Sequence, residues 1–74
     1  MKIERPLDGL NEAKGKRVVV DLKNKKQIVG TLVAFDIHPN IVMSDAEERE
    51  NGEMQRKLGT VFLRGDAIIS IIIQ

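Results

Sequence analysis

Cysteine, tryptophan and tyrosine are absent from this 74-residue chain, and histidine occurs once, as His38. Without cysteine there is no disulfide to brace the fold and no thiolate to hold a metal, and one histidine excludes a multi-histidine metal site. With no Trp or Tyr, stacking on a flat ligand falls to Phe35, Phe62 and His38. Charge of one sign is also lacking: the net charge is +1, whereas a protein that held nucleic acid through phosphates alone would be far more basic. Either the partner is not nucleic acid or binding uses a few local pockets. No apolar run approaches the ~20 residues needed to cross a bilayer. The start, Met1-Lys2-Ile3-Glu4-Arg5-Pro6, has no secretory apolar core, so a cytoplasmic location is expected.

What is present is globular in kind: 42 % apolar and 31 % charged residues, in a length that allows one domain, 1–74. Pro6 suits a first helical turn, Leu7, Leu10 and Ala13 share one helical face, and Gly15 is a natural stop, which predicts a short helix over about 6–14. The hydrophobic period then changes to two. Strands are predicted over about 17–23, 26–36, 40–46, 54–63 and 67–73, separated by polar turns. Gly30 inside the second strand marks a bend or a close backbone approach, and the broken alternation at Ala34 and Phe35 marks a bulge. Residues 45–53 read as an acidic loop with a turn at Asn51-Gly52. A helix followed by five closely spaced strands suits a small closed barrel or a bent meander, hence a mainly β fold.

Two polar turns interrupt the apolar runs: Asp36-Ile37-His38-Pro39-Asn40 and Arg64-Gly65-Asp66. In an up-and-down meander successive turns alternate between the two ends of the sheet, so the second and fourth share an end. His38 and Asn40 are therefore expected beside Arg64 and Asp66, with the acidic loop at the far end. The fifth strand, Ile68-Ile69-Ser70-Ile71-Ile72-Ile73, is apolar on both faces, which as a free edge would invite aggregation. Pairing with the fourth strand of a neighbouring copy would cover it. Such a head-to-tail contact closes into a ring or grows as a filament.

The motifs resemble those of a known family. Gly30-x-Leu32-x-x-Phe35-Asp36-x-His38-x-Asn40, followed by Asp45-Ala46-Glu47-Glu48, resembles the first Sm motif. Leu58-Gly59-Thr60-Val61-Phe62-Leu63-Arg64-Gly65-Asp66 resembles the second, and Arg5-Pro6-Leu7-Asp8 is similar to the archaeal branch of the Sm-like (LSm) proteins. The resemblance spans nearly the whole chain. It implies a short N-terminal helix followed by a strongly bent five-stranded antiparallel SH3-like barrel (the Sm fold). It further implies a ring of usually seven and sometimes six copies joined through fourth and fifth strands. The implied function is binding of U-rich single-stranded RNA at the inner pore rim, as an RNA-processing scaffold or chaperone without cofactor, metal or catalysis. Carried over to this chain, a uracil would stack between His38 and Arg64, and Asn40 would bond its edge. Asp66 would orient Asn40, the Gly65 and Asp66 backbone would line the pocket, and Asp36 would brace the turn. Pro39 departs from the family, which more often has a flexible residue there; proline fixes its own φ and pushes His38 toward extended geometry.

Blander readings compete. A lone histidine in a turn is usually only solvated, and Arg64 and Asp66 could form a structural ion pair. Lys23, Lys25 and Lys26 read as a solvated hairpin tip, with a secondary RNA contact as the alternative. The spacing of Asp45, Glu47, Glu48 and Glu50 fits no metal loop, so a solvated face is the better reading. An enzyme is not expected: Ser44 and Ser70 fall in predicted strands, no glycine-rich phosphate loop occurs, and no nucleophile or metal accompanies His38 and Asp36. The alternatives to an RNA-binding ring are a protein-interaction ring without base readout, and a monomeric SH3-like accessory domain.

Overall fold

The computed structural model describes residues 5–74. The segment inspected for a secretory core falls mostly on residues 1–4, which lie outside the described residues. Helix α1, Pro6–Ala13, begins with proline at a position that has no intrahelical N–H to lose. The Asp8 carboxylate accepts the Arg5 backbone N–H at 3.0 Å, and the Asp8 N–H donates to the Arg5 carbonyl at 2.9 Å. Gly15, at φ +81°, ends the helical path and donates its N–H to the Leu32 carbonyl at 2.8 Å, tying the helix end to the sheet. Gly9, Leu10 and Ala13 form the packed face. Leu7, grouped with Leu10 and Ala13 by period, is instead 38 % exposed, because the small residues Gly9 and Ala13 centre the contact and turn Leu7 to the flank.

Five strands follow: β1 Arg17–Leu22, β2 Gln27–Phe35, β3 Ile41–Glu50, β4 Glu53–Leu63 and β5 Ile68–Ile73. They form one antiparallel sheet in the order β4-β3-β2-β1-β5, so the expected helix-plus-five-strand fold is present. Alternation puts Val18 and Val20 of β1, Ile28 and Leu32 of β2, and Ile41, Met43 and Ala46 of β3 into one core, closed by Ala13. Each of the Val, Ile, Leu and Met side chains among them stabilises the fold by about 1.5–3 kcal/mol when fully buried.

The bend is written into the backbone. A Cβ on Gly30 would lie 3.0 Å from both the Ala46 Cα and the Ser44 carbonyl oxygen, so β3 can cross β2 closely only because residue 30 is glycine. The β2–β3 register shifts between Val29 and Thr31 and again between Leu32 and Ala34. Asp45 sits at φ 47°, and its carbonyl accepts the Arg17 guanidinium at 3.2 Å, linking β1 to the irregular point of β3.

Two expectations need correction. Most of the predicted acidic loop, 45–53, is strand: β3 runs to Glu50 rather than to 46, and β4 starts at Glu53. Asn51 and Gly52, at φ 55° and 80°, make a two-residue hairpin turn that needs no loop. The charges pair across strands, Glu48 with Arg56 at 3.6 Å and with Lys26 at 3.7 Å, so they form the solvated face of a hairpin. Secondly, the strands are not a simple meander, since β5 pairs with β1 across the sheet from β4. Ser70, the polar residue of β5, donates its hydroxyl to the Asp21 carboxylate at 2.6 Å, and the Gln27 amide donates to the other oxygen at 2.7 Å. Those two bonds hold the Asp21 carboxyl below its usual range. They also fix the register of a strand that is otherwise nearly uniform isoleucine.

Candidate nucleic-acid interface

One carboxylate organises the turn between β2 and β3. Asp36 Oδ1 accepts the backbone N–H of Asn40 at 2.7 Å and that of His38 at 2.9 Å, and Oδ2 accepts the Asn40 side-chain Nδ2 at 3.1 Å. The Asp36 N–H donates to the Asn40 carbonyl at 3.1 Å, closing the loop. The Asn40 and then the His38 backbone N–H hold the Asp36 carboxyl below its ordinary value. His38 and Asn40 stay exposed, and the His38–Pro39 peptide is cis.

The second turn comes to the first by β-pairing alone. Ile41 is opposite Leu63 in the β3–β4 register, so Asn40 and Arg64 leave the sheet side by side. Asn40 Oδ1 accepts the Gly65 N–H at 2.8 Å. A Cβ on Gly65 would lie 2.8 Å from the Pro39 carbonyl oxygen, so the approach requires glycine for its lack of bulk. Residues Gly65–Ala67 form a single 3-10 turn. The Arg64 guanidinium lies 3.5 Å from Asp66 Oδ2, and both side chains are exposed. His38, Asn40, Arg64, Gly65 and Asp66, the five residues named from the sequence, line one open pocket of about 420 Å³. A more apolar pocket, lined in part by Phe35, Val42 and Phe62, adjoins it and shares Asn40 and Arg64.

The geometry assigns parts differently from the expectation in one respect. Asn40 is oriented by Asp36 and Gly65, while Asp66 faces Arg64. The Asn40 amide therefore has a fixed sense: its nitrogen must face the carboxylate and its oxygen the Gly65 N–H. One N–H and one oxygen lone pair remain for a ligand. Among the described residues no group of three or more His, Asp or Glu side chains could hold a metal ion. Turn parity would put Lys23, in the first turn, at the far end with the acidic residues, whereas its N–H donates to the Ala67 carbonyl at 3.0 Å, at the foot of the 3-10 turn. Only the β1–β5 pairing brings it there, and no local signal announces that pairing.

The LSM domain family matches residues 8–73. The chain belongs to the LSM-domain, or Sm-like, family. A candidate snRNP Sm-like protein of Archaeoglobus fulgidus is 48 % identical over 67 residues, 90 % of this chain and 87 % of that protein. The Sm protein of Pyrococcus abyssii, solved in complex with a uridine heptamer, is 38 % identical with a TM-score of 0.93 over 96 % of this chain and all of that one. A heptameric archaeal Sm protein is 36 % identical with a TM-score of 0.84, over 90 % of this chain and 97 % of its own. The short helix and five-stranded antiparallel sheet are thus the Sm fold.

Proposed function

We propose that this Sm-like chain forms a seven-membered ring through β4 and β5 and binds U-rich single-stranded RNA in the pocket between residues 36–40 and 64–66. It would act in the cytoplasm as an RNA-processing scaffold or chaperone, with no catalysis of its own. The fixed Asn40 amide carries the reading. A uracil edge presents an N–H beside a carbonyl oxygen, matching the one acceptor and one donor that Asn40 has left. Cytosine in the same pose meets acceptor with acceptor and donor with donor. The amide cannot flip to suit it without opposing Oδ1 to Asp36 and Nδ2 to the Gly65 N–H. His38 and Arg64 offer an imidazole and a guanidinium to the two base faces, stacking of the kind that contributes ~1–3 kcal/mol per base. The uridine heptamer held by the Pyrococcus abyssii relative supports the same base choice.

The ring reading rests on the sheet order. β4 and β5 are the two edges, with Phe62 78 %, Ile69 67 % and Ile72 46 % exposed on them. Pairing β4 of one copy with β5 of the next satisfies both edges. The test is titration of the assembled protein with oligo-U and oligo-C of equal length. Preference for oligo-U by about five- to 150-fold is expected, in line with ~1–3 kcal/mol for a bidentate contact. Equal affinities would refute base readout by Asn40.

A further inference from the structure

β4 is nearly twice as long as the strand that would cover it in a ring. It runs 11 residues, Glu53–Leu63, whereas β5 runs six, Ile68–Ile73. β5 carries no charge, and its match in β4 is the uncharged half from Leu58 to Leu63. Pairing those halves leaves Glu53, Met54, Gln55, Arg56 and Lys57 outside the ring contact. All five are exposed in the protomer, and the sheet order gives their strand no neighbour on its outer side. An uncovered strand edge is a template for another strand.

We propose that this overhang pairs with the same overhang of a second ring, antiparallel about Gln55, to give a double ring. The inference rests on the ring reading above. The charges of the overhang carry it. Antiparallel pairing about Gln55 sets Glu53 opposite the partner's Lys57, and Lys57 opposite the partner's Glu53. Neither side chain has an ion-pair partner of its own among the described residues. Glu53 is opposite Glu50 across the hairpin, a like-charge pair. Lys57 is opposite Glu47, but that carboxylate is held by the Arg49 guanidinium at 2.8 Å. Residues 53, 55 and 57 share one face of the strand, so each contact gains two ion pairs side by side. On the other face Met54, 51 % exposed, lies opposite the partner's Arg56, whose aliphatic stem can cover it. Shifting the centre to Arg56 sets arginine against arginine, and shifting it to Met54 leaves both free charges without a partner. One exposed ion pair contributes little, so the contact depends on its repetition around the ring. β3 and β4 carry this hairpin at one end and the pocket turns at the other, so the two rings meet with their base pockets turned away from each other.

Native mass spectrometry of the assembled protein reads the contact. Wild type should show a species of twice the ring mass that reverts to single rings as salt is raised. Glu53→Lys and Lys57→Glu each set like charges opposite one another and should give single rings only. Their oligo-U affinity per ring should match wild type, since the pocket lies at the far end of both strands. Mixing rings of the two variants should restore double rings made of one ring of each, and the variant carrying both changes should form them alone. Single rings of wild type at every salt concentration, a double ring that survives either single change, or a mixture that forms none would refute the overhang pairing while the ring stands. A wild-type chain that stays at 8.3 kDa overturns the ring reading and the double ring with it.

Discussion

Asp36 does more for the pocket than any residue that lines it. A single exposed carboxylate holds the backbone of His38 and Asn40 and sets which way the Asn40 amide points. The family resemblance gave Asp36 as the residue that braces the turn, but its control of Asn40 was not legible, because the choice between Asp36 and Asp66 depends on three-dimensional direction. The lowered carboxyl value has a definite pH consequence. The folded pKa lies below that of an unfolded aspartate, about 3.9. Asp36 therefore contributes its stabilisation in full above that value, and the contribution is lost as pH falls through the lower folded value. In an NMR titration the Asp36 carboxyl should show a midpoint below about 3.9, and the amide protons of His38 and Asn40 should move with the same midpoint. A normal midpoint, or amides that ignore it, would mean the turn is held by something else.

At the scale of elements, five strands and a helix were legible because period, glycine and turn chemistry are local signals. The third strand was read short for a physical reason: the charged run from Asp45 to Glu50 looks like a loop until its cross-strand partners Lys26 and Arg56 are known. The meeting of the two polar turns was reached through turn parity, yet what brings them together is the Ile41–Leu63 pairing, and β5 takes no part. Parity gave the right neighbours for His38 because β3 pairs with β4, and it misplaced Lys23 because β5 pairs with β1. Gly30 is the element-scale position on which the bend depends. Replacing it with valine puts a branched side chain where even a Cβ would lie 3.0 Å from the β3 backbone. Gly30→Val should cost about 2–4 kcal/mol, the range of overpacking with backbone displacement. Chemical denaturation would read it; a change under about 0.5 kcal/mol, typical of a neutral surface site, would show that β3 can move away.

For the whole molecule, the decisive feature is that the two unpaired edges belong to one curved sheet and differ from each other. An edge pairing with its own kind would give a closed two-fold dimer and leave the other edge bare, whereas β4 against β5 gives a head-to-tail contact that consumes both. A ring also answers the near-zero net charge, since several modest pockets facing one RNA gain affinity through effective concentration rather than through bulk positive potential. These two claims can be separated by charging the edges. Phe62 and Ile69 are exposed in the single protomer, so Phe62→Glu with Ile69→Glu should leave the monomer folded while placing like charges on both sides of the β4–β5 contact. Native mass spectrometry should then show the 8.3 kDa chain alone in place of a sevenfold assembly. Circular dichroism should be unchanged. Oligo-U affinity should fall by about 10²–10⁴ as avidity is lost, while the preference for U over C survives in the isolated pocket. An intact ring in this variant would rule out the two edges as the assembly contact. A monomer that bound oligo-U as tightly as wild type would show that one pocket suffices and that the ring serves some purpose other than avidity.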